Sequence, residues 1–62
     1  MYKIEYKGQT VQTEYIGDGV YALFVENGIW LHANDPFQPT DKIFLEPIVL
    51  KNLLLAKEAL IK

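Results

Sequence analysis

The sequence predicts an α+β domain, an antiparallel β-meander of four to five strands with one C-terminal α-helix packed on one face. Three observations lead there. Much of the stretch from Tyr2 to Asn34 alternates with the two-residue period of a strand. Glycine-bearing pairs cut that stretch into hairpins. After Pro47, apolar residues recur at helical spacing. The 62 residues make one domain, with a sheet over 2–46 and a helix over 47–62.

Tyr2–Lys7 places Tyr2, Ile4 and Tyr6 on one side and Lys3, Glu5 and Lys7 on the other. Gly8-Gln9, with glycine first, suits a type II′ turn. That turn sets Tyr6 opposite Val11, Ile4 opposite Thr13 and Tyr2 opposite Tyr15, with Lys3 across from Glu14 as a cross-strand charge pair. Asp18-Gly19 suits type I′ and sets Tyr15 against Ala22 and Thr13 against Phe24. Asn27-Gly28 does the same one hairpin on, setting Phe24 against Leu31, Val25 against Trp30 and Leu23 against His32. Asp35–Asp41, with two prolines, reads as a loop. Lys42–Leu45 is a short fifth strand with Ile43 and Leu45 inward. Pro47 fits the first helical position, where its missing N–H costs nothing. Val49, Leu50, Leu53, Leu54, Leu60 and Ile61 form a stripe to cover the sheet, and Ile48, Leu55 and Ala59 lie almost opposite it.

These registers sort the strands into two faces. One collects Tyr2, Ile4, Tyr6, Val11, Thr13, Tyr15, Val20, Ala22, Phe24, Ile29, Leu31 and Ala33. The other carries Lys3, Glu5, Gln12 and Glu14, then Ile16, Tyr21, Leu23, Val25, Trp30, His32 and Asn34. Both are largely apolar, and one helix shelters one of them. The expectation is that it shelters the first; with the helix on the Trp30 side, the tyrosine-rich face would be the open one. The surplus face is then buried against a second copy, a partner protein or a small planar ligand. A second copy has the strongest claim, because a chain this short gains most from self-association.

Composition narrows the function classes. The chain has no Arg, Ser or Cys and a formal charge of −2. It therefore lacks the bidentate fork suited to phosphate and guanine, and nucleic acid is not an expected partner. The two commonest nucleophiles are missing, and no disulfide can form. No secretory pattern and no apolar run of membrane-spanning length occur, so the expected location is the cytoplasm, without membrane association. His32 is the single imidazole, with Glu14 the nearest carboxylate on its face; a histidine making one structural hydrogen bond is the simpler reading than a general base. Gly17-Asp18-Gly19 lacks the strand-to-helix context and lysine of a phosphate loop and reads as a turn. No calcium spacing occurs among the acidic residues, and neither a metal nor a cofactor is expected. Glu46 stands where it can favour the helix N-terminus.

The strings Tyr15-Ile16-Gly17-Asp18-Gly19-Val20-Tyr21, Ile29-Trp30-Leu31 and Leu45-Glu46-Pro47-Ile48-Val49-Leu50 carry a resemblance. In this order they resemble a group of short uncharacterised proteins encoded in phages and prophages, over most of the chain from Tyr15 onward. The chain departs from that pattern in having Glu26-Asn27-Gly28 at the third turn and no basic residue directly after Ile29-Trp30-Leu31. The resemblance implies a phage-type setting, in which short proteins commonly bind and disable a host component or its signal molecule. It assigns no activity and no functional residue.

The resulting expectation is a small non-enzymatic binding protein, homo-oligomeric, capturing or inhibiting a host factor in the cytoplasm of an infected or lysogenic cell. The candidate binding residues are Tyr21, Leu23, Val25, Trp30 and His32, with Lys3 and Lys42. The candidate oligomer contacts are Ile16, Tyr21, Trp30, Ile48 and Leu55. One alternative is a sponge for a small nucleotide-type signal, its base stacked on Trp30 or a tyrosine and a lysine near its phosphate. The other is an oligomerisation module with no ligand.

Overall fold

A computed structural model describes residues 1–61. The strands are β1 (Tyr2–Tyr6), β2 (Gln9–Gly17), β3 (Val20–Val25), β4 (Gly28–Ala33) and β5 (Lys42–Leu45), followed by α1 (Pro47–Leu60). The five strands form one antiparallel sheet in the order β1-β2-β3-β4-β5, so the α+β meander read from the sequence is the fold of the chain. Ile61 is extended, so the helix ends at Leu60; Lys62, the last residue of the expected helix, lies outside the described residues.

The hairpin corners differ from expectation in an instructive way. The first turn is Lys7-Gly8, both at positive φ (51° and 78°), a type I′ corner in place of the Gly8-Gln9 turn. The ladder therefore moves by two residues: Ile4 pairs with Val11, Tyr2 with Thr13, and Lys3 with Gln12 where Glu14 was expected. A two-residue shift preserves sidedness, so Ile4, Val11 and Thr13 still share a face. The third corner behaves alike. Glu26-Asn27 forms the loop, Val25 pairs with Gly28, Leu23 with Trp30, and Tyr21 with His32. Gly28 belongs to β4 and serves close approach instead: a Cβ there would lie 2.3 Å from the Leu45 carbonyl oxygen.

The middle corner changes sidedness. Asp18-Gly19 is the expected type I′ turn, with φ of 52° and 81°. But Gly17 pairs with Val20 and Tyr15 with Tyr21, which leaves Ile16 as an extra, bulged residue. From there Thr13 faces Leu23, not Phe24, and Glu14 faces Ala22. The bulge joins Ile4, Val11 and Thr13 to the bulkier of the two downstream sets, Tyr21, Leu23, Val25, Trp30 and His32. The two expected faces are thus each stitched to the other's downstream half.

The bulkier face closes on itself. The Tyr6 and His32 rings meet edge to face with centroids 5.2 Å apart. In a flat sheet their positions would be roughly 24 Å apart, three strand spacings across and about six residues along. The sheet is therefore strongly coiled, and the corner of β1 folds diagonally over β4, in keeping with the extra twist a bulge supplies. Ile4, Val11 and Leu23 form the buried core beneath that corner, with Tyr6, Tyr21, Val25 and Trp30 packed around them. Thr13 is buried there too, its hydroxyl donating to the Val11 carbonyl at 3.1 Å.

The opposite face is polar over β1 and β2, where Thr10 bonds Glu5 and Glu14 pairs with the Met1 amino group at 2.8 Å. Over β3–β5 it is apolar. Ala22 and Leu45 are buried there, whereas Ile43, expected inward, is 59% exposed. α1 packs against β5, reached through Glu46 alone. Of its expected covering stripe, Leu50 is half-buried, while Val49, Leu53, Leu54, Leu60 and the following Ile61 stand exposed. Glu46 occupies the N-cap position without a side-chain capping bond. The molecule is elongated, 38 × 24 × 20 Å. Its radius of gyration of 12.4 Å exceeds the value of about 10.6 Å for a compact chain of this length.

Candidate functional site

The sheet distributes the candidate residues among three environments. Leu23 and His32 are 0% and 1% exposed, shut inside the coiled sheet. Tyr21, Val25 and Trp30 are half-buried at its margin. Lys3 lies opposite Gln12 on the polar outer face, away from Trp30, so the two candidate lysines are not brought together. Lys42, by contrast, sits across from His32, and its Nζ lies 5.3 Å from the centroid of the Trp30 ring. Ile16 is exposed on the bulge, and Ile48 and Leu55 are exposed on α1.

His32 is anchored through one ring nitrogen. Its Nδ1 donates to the Pro36 carbonyl at 2.8 Å, which ties the Asp35–Asp41 loop to β4. Its Nε2 is buried without a hydrogen-bond partner among the described residues. A bonded Nδ1–H leaves Nε2 as an acceptor in the neutral ring. Glu14 is on the outer face, engaged with the Met1 amino group, so it does not orient this imidazole. The loop is braced further by Asp35, whose carboxylate accepts the N–H groups of Gln38 (2.9 Å) and Phe37 (2.7 Å). Those bonds hold the Asp35 carboxyl below its ordinary value. Asn34, at φ 75°, donates from its amide to Thr40 at 2.8 Å.

Around this anchor runs an aromatic strip. Trp30 packs on Phe44 with centroids 5.0 Å apart, and Tyr15 on Tyr21 at 4.9 Å. The sequence pattern does not single out Phe44, because its neighbours Ile43 and Leu45, which take the other side of β5, carry the apolar alternation. Its pairing with Trp30 follows only once the register of β4 with β5 is known.

A second feature lies on the outer face. A cleft of about 410 Å³ is lined by Val20, Leu31, Ala33 and Ile43, with Asp41 and Lys42 at its rim. Its walls come from β3, β4, β5 and the residue before β5, and none from α1. The pattern that could have revealed it is the alternation of Val20, Leu31 and Ala33, read with the bulge in place.

No group of three or more metal-binding side chains occurs among the described residues, and no described helix is long and apolar enough to cross a membrane. No protein-family model, curated protein or solved structure matches the chain.

Proposed function

We propose that the chain is a non-enzymatic binding protein that works as a homo-oligomer and captures or inhibits a host protein in the cytoplasm of an infected cell. One observation carries the reading: α1 has 14 residues and buries none of them, although Ile48, Val49, Leu53, Leu54, Leu55 and Leu60 are apolar. A helix that is apolar over most of its circumference is normally surrounded by protein. A 14-residue helix without a side-chain cap is also marginal by itself, so its stability must come from packing. Self-association meets both requirements. The capture surface is the strip Tyr15, Tyr21, Trp30, Phe44 with Lys42, because aromatic rings with polar tips are what partner-binding centres are made of. The phage-type setting follows from the sequence resemblance and gives the capture its purpose.

Sedimentation velocity at micromolar concentration tests the oligomer: the expected species is a dimer or larger, and a stable monomer would remove the basis of the reading. A second reading, sequestration of a small anionic planar ligand, draws support from Lys42 over the half-buried Trp30 ring. Mass spectrometry of material released by heating the purified protein separates the two, a nucleotide favouring the second and an empty spectrum the first.

A further inference from the structure

We infer that the outer-face cleft of one copy receives α1 of a second copy, and reciprocally, so that a two-fold dimer is closed by exchanged helices. The inference rests on the self-association proposed above and specifies which surfaces meet.

Area gives the first argument. The chain exposes 4810 Å² at a mass of 7.1 kDa. A compact monomer of that mass exposes about 4,100 Å². The excess of about 700 Å² is close to the roughly 800 Å² that each partner contributes to a standard stable interface. The excess has a visible source, the helix standing off the sheet and the apolar half of the outer face it leaves open.

Position gives the second. α1 leaves the sheet at the Leu45 end of β5, beside Ile29, whereas the cleft lies toward the Asp41 end. The helix contributes no residue to the cleft in its own chain. Its length of about 21 Å carries the Val49, Leu53 and Leu60 stripe outward, where a second copy related by a two-fold axis can meet it. A two-fold arrangement requires each chain to hold both halves of the contact, and this chain does.

Charge gives the third. Asp41 flanks the cleft, and α1 carries Lys51 and Lys57 on the turns beside its apolar stripes. The Asp41 carboxylate therefore has an opposite charge available on the incoming helix, and the apolar centre has an apolar occupant.

The chain has no cysteine, so Asn52→Cys on the exposed surface of α1 accepts a single spin label. The labelled protein is mixed with isotope-labelled, unsubstituted protein, in which any broadening must come from the other copy. Broadening centred on the amides of Val20, Leu31, Ala33 and Ile43 is the expected result. Broadening centred on α1 itself would mean paired helices and would overturn the exchange. Broadening elsewhere, or none, in a sample that sediments as a dimer would overturn the exchange while leaving self-association standing. A sample that sediments as a monomer would overturn both. As an independent check, Ile43→Lys, at an exposed position of the monomer, should weaken association about tenfold or more with an unchanged hydrogen-exchange pattern in β1–β3. Undiminished association in that variant would also count against the exchange.

Discussion

The sheet and the helix solve the same problem in opposite ways. The bulkier sheet face hides its apolar residues within one chain: β1 swings over β4, and Leu23 ends fully buried although no second layer covers it. The helix hides almost nothing. Its residues are as apolar as those of the sheet, yet all remain exposed or half-exposed within the chain. Burial in a chain this small therefore depends on curvature more than on composition. A ribbon that can coil supplies its own cover, whereas a helix, being stiff, must find a neighbour.

The sharpest way to test that contrast is one truncation in each region. Leu23→Ala should cost about 2–5 kcal/mol, enough to unfold much of the population, and urea denaturation will measure it. Leu53→Ala, on exposed α1, should change the stability of the isolated chain by no more than about 0.5 kcal/mol while weakening self-association in sedimentation. Equal losses of chain stability would erase the distinction between the two regions.

The joint between them is Gly28. An added Cβ meets the backbone of Leu45, which has little freedom to retreat. Gly28→Ala should therefore destabilise by about 1–3 kcal/mol, with amides of β5 and α1 losing hydrogen-exchange protection before those of β1 and β2. Uniform loss across the sheet would mean that β5 is not separable from the rest.

A smaller effect belongs to the first corner. Lys7 sits at φ 51°, a conformation that costs a side chain such as lysine energy and that Asn-Gly adopts readily. Lys7→Asn should raise stability by about 0.5–1 kcal/mol, seen as a later thermal midpoint. No gain would argue against the Lys7-Gly8 corner.

The smallest is a pH effect. Because the Gln38 and Phe37 N–H groups favour the charged form of Asp35, its folded pKa lies below the ordinary 3.8. The bracing of the loop is therefore complete above that ordinary value and is lost as pH falls through the lower folded one. Amide shifts of Phe37 and Gln38 should titrate together in that acidic range and stop doing so in Asp35→Ala.

Much of the fold was legible. Alternation gave the strands, the middle glycine turn gave its own corner, and Pro47 gave the start of the helix. Two of the three corners were misplaced by one residue, because Lys7 takes a positive φ that composition does not suggest and Gly28 is needed for contact, not for turning. Each of these differences moves a ladder by two and so leaves the faces unchanged. The Ile16 bulge does not, because it exchanges faces. Its one signal was Gly17, a glycine inside a strand and next to a turn that already had one. Of the candidate site, the aromatic composition was legible. Which aromatics are open was not, because that depends on the coiling of the sheet, and coiling leaves no period in the sequence.

Ile16 has one more implication. Since Gly17 still meets Val20 and Tyr15 still meets Tyr21, a gene that lost this codon would encode a chain with every partner across the ladder unchanged. What would vanish is the bend. The shortened ribbon would lie flatter, Tyr6 would draw away from His32, and water would reach Leu23, so that a length change invisible in the pairing would be felt at the far corner of the protein.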